Sequence, residues 1–166
     1  MQKNLYIMIG APGSGKSHFV STHLKQKDAV WISRDAIRYS LVSEDEDYFS
    51  KEDEVVRTFI QYINEALSQE SPYQYIYADA THLSKKSRKQ LLSQLKTKPT
   101  SMVGIYFDLP LELIQQRNAQ RTGRERVPAH IVEKMYRSME LPTKEEGFTD
   151  IMFVGQNNEI VRGMSL

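Results

Sequence analysis

The stretch that most constrains this chain is Gly10-Ala11-Pro12-Gly13-Ser14-Gly15-Lys16-Ser17. An apolar run, Leu5-Tyr6-Ile7-Met8-Ile9, precedes it, and residues 18–25 follow with a helical pattern. Strand, glycine-rich turn and helix, in that order, is the context in which GxxxxGK[ST] works as a phosphate loop. The glycines at 10, 13 and 15 let the backbone curl so that successive N–H groups point inward at phosphate oxygens. The positive end of the following helix, opening at His18, adds a favourable field. Lys16 places a point charge on the outer phosphates, and the Ser17 hydroxyl suits a magnesium ligand. These residues predict a nucleotide site.

A chain of 166 residues is large enough to close one core, and a single domain over residues 1–166 is expected. It has no cysteine, which excludes a disulfide framework or thiolate metal site and fits a cytoplasmic protein. No apolar run approaches the length of a membrane span, and neither a secretory signal nor a membrane partner is expected. The histidines at 18, 23, 82 and 130 lack zinc-ligand spacing. Net charge is +1, yet residues 85–126 carry +7 and the remainder −6. A basic segment in a phosphate-binding chain suggests further anion contacts there.

Ala29-Val30-Trp31-Ile32 reads as a buried strand. Ser33 is placed to cap a helix opening with Arg34-Asp35-Ala36, and Asp35 and Arg38 share a face. An acid in a first helical turn suits the helix dipole and needs no other role. This helix, however, starts at the carboxyl end of a strand, where open α/β sheets put their ligands. Residues 44–47 are all acidic and read as a solvated loop. Ser50 with Asp53 looks like a capping box, opening a helix to about residue 70. Its Val55, Val56, Phe59, Ile60, Tyr62, Ile63, Ala66 and Leu67 make a wide apolar stripe that reads as core.

Residues 73–78 form a third strand that runs into Asp79-Ala80-Thr81. Asp79 suits a water-mediated magnesium contact, substrate orientation, or a simple turn. Ser84 caps a helix with a basic start at Lys85, Lys86, Arg88 and Lys89, candidates for acceptor phosphates. Residues 102–107 are a fourth strand, and the next helix places Arg117 and Arg121 four apart on one face. Residues 121–128, with Arg121, Arg124 and Arg126, read as a short arginine-rich lid. Pro128 opens the last helix, residues 151–154 are a fifth strand, and Asn157-Asn158 turns residues 159–164 back as an antiparallel edge. The alternation predicts a three-layer α/β sandwich on a mostly parallel five-stranded sheet.

Residues 10–17, Ser33-Arg34-Asp35 with Arg38, Asp79-Ala80-Thr81-His82-Leu83, Arg117-Asn118 with Arg121, and Val127-Pro128 together resemble one family. It is the P-loop kinase family typified by the 5′-kinase domain of phage polynucleotide kinase. The resemblance runs nearly the whole chain, through Tyr136-Arg137-Ser138-Met139. It implies the P-loop kinase fold, ATP with Mg²⁺, and transfer of the γ-phosphate to a hydroxyl. ATP would lie against residues 10–18 and Arg117, with Ser17 and, through water, Asp79 at the metal. Asp35 would be the general base, Arg38 would hold the acceptor's phosphate, and Asp79 and Thr81 would face the acceptor. Arg121 would stabilise the transferring phosphoryl group, although the longer lid offers Arg124 or Arg126 for that role. The chain leaves no room for the phage enzyme's phosphatase domain, so no 3′-phosphatase activity is expected. The acceptor expected first is a polynucleotide 5′-hydroxyl. The alternatives are a small molecule (sugar, nucleotide-sugar, nucleoside or antibiotic) or a regulatory ATPase with no acceptor. Oligomeric state is left open.

Overall fold

Alternation of inward-facing residues along the strands decides the architecture of this computed structural model, which describes residues 1–25 and 27–163. In β1 (Asn4–Ile9), Leu5, Ile7 and Ile9 point to one face and Met8 to the other, and all are fully buried. A strand apolar on both faces must be covered on both, which is what a parallel sheet between helix layers supplies. The remaining strands are β2 (Ala29–Ser33), β3 (Tyr75–Asp79), β4 (Ser101–Phe107), β5 (Asp150–Val154) and β6 (Ile160–Gly163). They form one sheet in the order β2-β3-β1-β4-β5-β6, parallel except for the β5–β6 pair. The return strand expected from residue 159 is therefore present as β6; its expected end at Met164 lies outside the described residues.

The helices are α1 (Lys16–His23), α2 (Arg34–Leu41), α3 (Glu52–Leu67), α4 (Lys85–Ser93), α5 (Leu111–Ala119) and α6 (Ala129–Arg137). Ile37 of α2, Val55, Phe59, Ile63 and Leu67 of α3, and Leu91 of α4 close one face of the sheet. Phe19 and Val20 of α1, Ile114 of α5 and Val132 of α6 close the other. None of these helices is long and apolar enough to cross a membrane. Chain order reverses at β1, with β3 on one side and β4 on the other, so the crevice for a ligand opens at its carboxyl end.

Several expectations are corrected. β2 is an edge strand, and its Trp31 is exposed rather than buried. The capping box at Ser50 and Asp53 is absent: α3 starts at Glu52 from an uncapped Lys51, with three acids in its first turn, and ends at Leu67. Tyr62 leaves the apolar stripe for solvent. A side-chain capping box is present where none was expected, between Thr143 and Glu146.

Candidate active site

The loop after β1 folds as its glycines require. Gly13 has φ of 91°, and a Cβ there would lie 2.8 Å from the Ile114 carbonyl, so only glycine fits. A Cβ on Gly10 would meet the Ser14 hydroxyl at 2.5 Å. The backbone N–H of Gly10 donates to the Thr81 carbonyl at 3.0 Å, tying the loop to the segment after β3. α1 then begins with no side-chain cap and no acid in its first turn, which leaves its N–H groups for a ligand.

Lys16 is half-buried, and its Nζ donates to the carbonyls of Gly10 at 3.0 Å and Ala11 at 3.1 Å. Burial lowers its pKa, opposed by the charges of Asp79 and Asp35 and reinforced by that of Arg121. Asp79, at the end of β3, is 5% exposed, and its Oδ2 accepts from Ser17 Oγ at 3.2 Å and Trp31 Nε1 at 3.1 Å. Burial raises its pKa, and Lys16, Trp31 and Ser17 pull it back. The Ser17 hydroxyl and Asp79 carboxylate are hard oxygen donors beside the phosphate loop, a set that fits Mg²⁺.

Across the crevice, Ser33 Oγ accepts the Ala36 N–H at 3.2 Å, as expected, and α2 presents Asp35 in its first turn. The Asp35 side chain is 64% exposed. Its Oδ1 accepts from Arg38 Nη1 at 2.6 Å and from the Tyr48 hydroxyl at 3.2 Å. Arg38 itself is 5% exposed. Its Nη2 and Nε reach Glu52 Oε2 at 2.7 and 3.3 Å, and Glu52 Oε1 also takes Arg34. The guanidinium lies 4.8 Å from the Tyr48 ring centre. Most of its donors are therefore directed at protein groups, and it grips Asp35 rather than presenting an open fork to an acceptor phosphate.

Arg88 departs furthest from expectation. It is fully buried, paired through both Nε and Nη2 to Glu146 at 2.7 and 3.0 Å. Its Nη1 donates to the carbonyls of His82 and Leu83. A guanidinium so enclosed cannot meet an acceptor, and it acts as a buried clamp on the loop after β3. Thr81, half-buried, lends its carbonyl to the phosphate loop. His82 packs beneath at φ of 44°, its Nδ1 donating to the Met8 carbonyl at 2.8 Å. Burial lowers its pKa to about 4, so the ring is neutral.

The lid arginines separate. Arg121 is half-buried, and its Nη1 donates to the Glu125 carbonyl at 3.4 Å, within the lid itself. Arg124 donates to the Val42 carbonyl at 3.0 Å and lies 5.0 Å from the Tyr39 ring centre, so it bridges the lid to the end of α2. Arg126 is exposed. Arg117 lies against the phosphate loop, where a Cβ on Gly15 would be 3.4 Å from its Nη1, and it donates to the Gln156 carbonyl at 2.6 Å. His18 is exposed on the first turn of α1.

Sequence reasoning missed Glu52, Tyr48 and Trp31. Glu52 stands 14 residues from Arg38, and only folding joins them. Tyr48 left a faint signal, an aromatic pair with Phe49 following an acidic run.

A phosphate loop at the reversal of a parallel sheet, with a gripped carboxylate across the crevice and arginines beside it, is the arrangement of the P-loop kinase fold. The chain belongs to the AAA domain family, which matches residues 5–142. It is 31% identical over 144 residues to L-seryl-tRNA(Sec) kinase of Methanococcus maripaludis, a match covering 83% of this chain and 53% of that protein. Among solved structures it is similar to a chain of the Pnkp1/Rnl/Hen1 RNA repair complex, with a TM-score of 0.67 and 23% identity over 82% of this chain and 44% of that one. It is likewise similar to a sugar kinase from Janibacter sp., with a TM-score of 0.62 and 16% identity over 93% and 86% of the two chains. These two likenesses are of fold. The chain spans about half the length of the tRNA kinase and less than half of the RNA-repair chain.

Proposed function

We propose that this chain transfers the γ-phosphate of ATP to a hydroxyl activated by Asp35, and that the hydroxyl is the 5′-hydroxyl of a polynucleotide. The observation that carries the reading is the Asp35 grip: an exposed carboxylate oriented by a buried guanidinium at 2.6 Å and a phenol at 3.2 Å. A domain that only binds or hydrolyses nucleotide needs no oriented base on the far wall of the crevice. Phosphoryl transfer asks little covalent chemistry of the protein, so positioning and charge stabilisation dominate. The acceptor oxygen bonds to the γ-phosphorus as the bridging P–O bond to ADP breaks. Asp35 takes the hydroxyl proton, while Lys16 and Arg121 face the charge that builds up. Ser17 and Asp79 would hold Mg²⁺, which when bound neutralises charge on the outer phosphates.

Similarity to a tRNA kinase supports a nucleic-acid acceptor over a free sugar. The small-molecule reading rests on a specific observation as well: the net charge is +1, and an acidic run at residues 44–47 immediately precedes Tyr48 in the chain. Transfer from γ-labelled ATP to 5′-hydroxyl oligonucleotides, nucleosides and sugars tests the reading. Asp35→Asn should lower transfer by about 10²–10⁴-fold with ATP affinity unchanged. Equal transfer by the variant, or transfer to sugars alone, refutes it.

A further inference from the structure

We propose that Phe49, backed by Tyr48, is a stacking face for the nucleobase of the acceptor's terminal nucleoside. The inference rests on the phosphotransfer reading above and names the acceptor subsite of that same site.

Tyr48 is pinned in place. Its hydroxyl donates to Asp35, and the guanidinia of Arg38 and Arg124 lie 4.8 and 5.8 Å from its ring centre. Phe49 stands edge-on to Tyr48 with ring centres 4.9 Å apart, and the Arg38 guanidinium is 5.6 Å from its own ring centre. Yet Phe49 is 58% exposed. A single exposed phenylalanine is ordinary on a protein surface. This one is fixed against the very groups that orient Asp35, so its open face has a defined direction and a defined place. Leaving it exposed forgoes burial that would favour the fold. That loss is recovered when a flat apolar surface covers the ring.

The chemistry of the neighbourhood selects the ligand. The ring is one side chain removed from Asp35, as a nucleobase is one ribose removed from the 5′-hydroxyl that Asp35 would deprotonate. An aromatic face beside a guanidinium is the combination that proteins use on single-stranded nucleic acid, the ring for the base and the charge for the backbone. Such stacking tolerates any base, because every base has a π-face. Tyr39, 6.3 Å from Tyr48, extends the aromatic row toward the lid through Arg124. A hexose needs hydrogen-bonding groups around its hydroxyls. Here the Glu52 carboxylate is taken up by Arg34 and Arg38, and beyond Asp35 and the Tyr39 and Tyr48 hydroxyls the wall offers rings and guanidinia.

The test is steady-state transfer from γ-labelled ATP to a 5′-hydroxyl oligonucleotide and to the same strand with an abasic 5′-terminal nucleoside. Wild type, Phe49→Ala and Phe49→Trp are compared. Phe49→Ala should raise the acceptor KM roughly tenfold, within the range for loss of one base stack, and leave the KM for ATP and the melting temperature unchanged. Phe49→Trp should restore it. The abasic strand should carry a similar penalty on wild type and no further penalty on Phe49→Ala, because the two changes remove one contact. Transfer indifferent to Phe49, or an abasic penalty that adds in full to that of Phe49→Ala, overturns this inference while the polynucleotide reading stands. No transfer to any oligonucleotide overturns both.

Discussion

Lys3 and Lys16 flank the same strand, and both turn their ammonium groups onto backbone carbonyls. Lys3, at the amino end of β1, reaches Ala66, Ser71 and Tyr73 at 3.1, 2.8 and 2.7 Å. Lys16, past the carboxyl end, reaches only Gly10 and Ala11 among the described residues. An ammonium has three donors, so Lys3 is saturated and Lys16 keeps one N–H for a phosphate oxygen. The arginines repeat the contrast. Arg88 sits wholly inside with Glu146, whereas Arg38 is held between the half-buried Glu52 and the exposed Asp35. A cation whose donors all end in the protein belongs to the fold. One whose network reaches solvent belongs to the site.

Breaking the structural member of the arginine pair should do the most damage. Arg88→Met leaves Glu146 charged and buried, which should cost about 3–5 kcal/mol. For a chain of this size that is a fall of roughly 10 °C in melting temperature. Adding Glu146→Leu should recover much of it, and the folded fraction should keep its ATP affinity. Thermal melts of the single and double variants check this. A catalytic defect in a fully stable Arg88→Met would erase the contrast.

Lys16→Ala should lower kcat/KM about 10²–10³-fold, as loss of one preorganised charge contact does. Stability should hold or rise, because a desolvated charge is removed from a loop shaped for anions. Paired melts and transfer assays read both, and a lower melting temperature would make Lys16 a structural lysine like Lys3.

His82 gives the comparison a pH axis. Its folded pKa is about 4, against an ordinary value of 6.5. Below 6.5 the unfolded chain takes up a proton that the native ring refuses, so stability falls as pH drops from 6.5 to 4, by about 3 kcal/mol at most. His82→Asn, which tolerates the positive φ, should flatten that part of the stability–pH curve. Urea denaturation across pH 4–7 measures it, and an unchanged slope in the variant would assign the acid sensitivity to other groups. The smallest effect is expected at Lys3→Met. Loss of one ammonium from partly buried carbonyls should cost about 1–3 kcal/mol, with transfer kinetics unchanged.

Local chemistry made much of this legible. The phosphate loop, the caps at Ser33 and Ser84, the strand order in sequence and the return strand at Ile160 follow from residues close to one another in the chain. Asp35 and Asp79 were marked by lying just past apolar strands, and in the structure Asp79 accepts from Ser17 of the phosphate loop while Asp35 is held by Arg38 and Tyr48. The errors lie where a long-range partner overrides a local pattern. Basic residues at a helix start look alike in sequence, but Arg88 faces inward at Glu146, 58 residues away, while Lys86 and Lys89 face water. Glu52 carried no local signal, yet it anchors Arg34 and Arg38.

What the sequence by itself determined is the set of elements and the phosphate loop. Turn geometry, capping and hydrophobic period act over a few residues, and no distant contact is needed to satisfy them. What only the tertiary structure decided is which charges meet. It chose Glu52 to hold Arg38, Arg88 to be sealed away with Glu146 and Arg124 to bridge to Val42. The physical reason is that a charged side chain carries no local preference for its partner. Burial makes an unpaired charge costly, and the packing of helices on the sheet then selects the partner within reach.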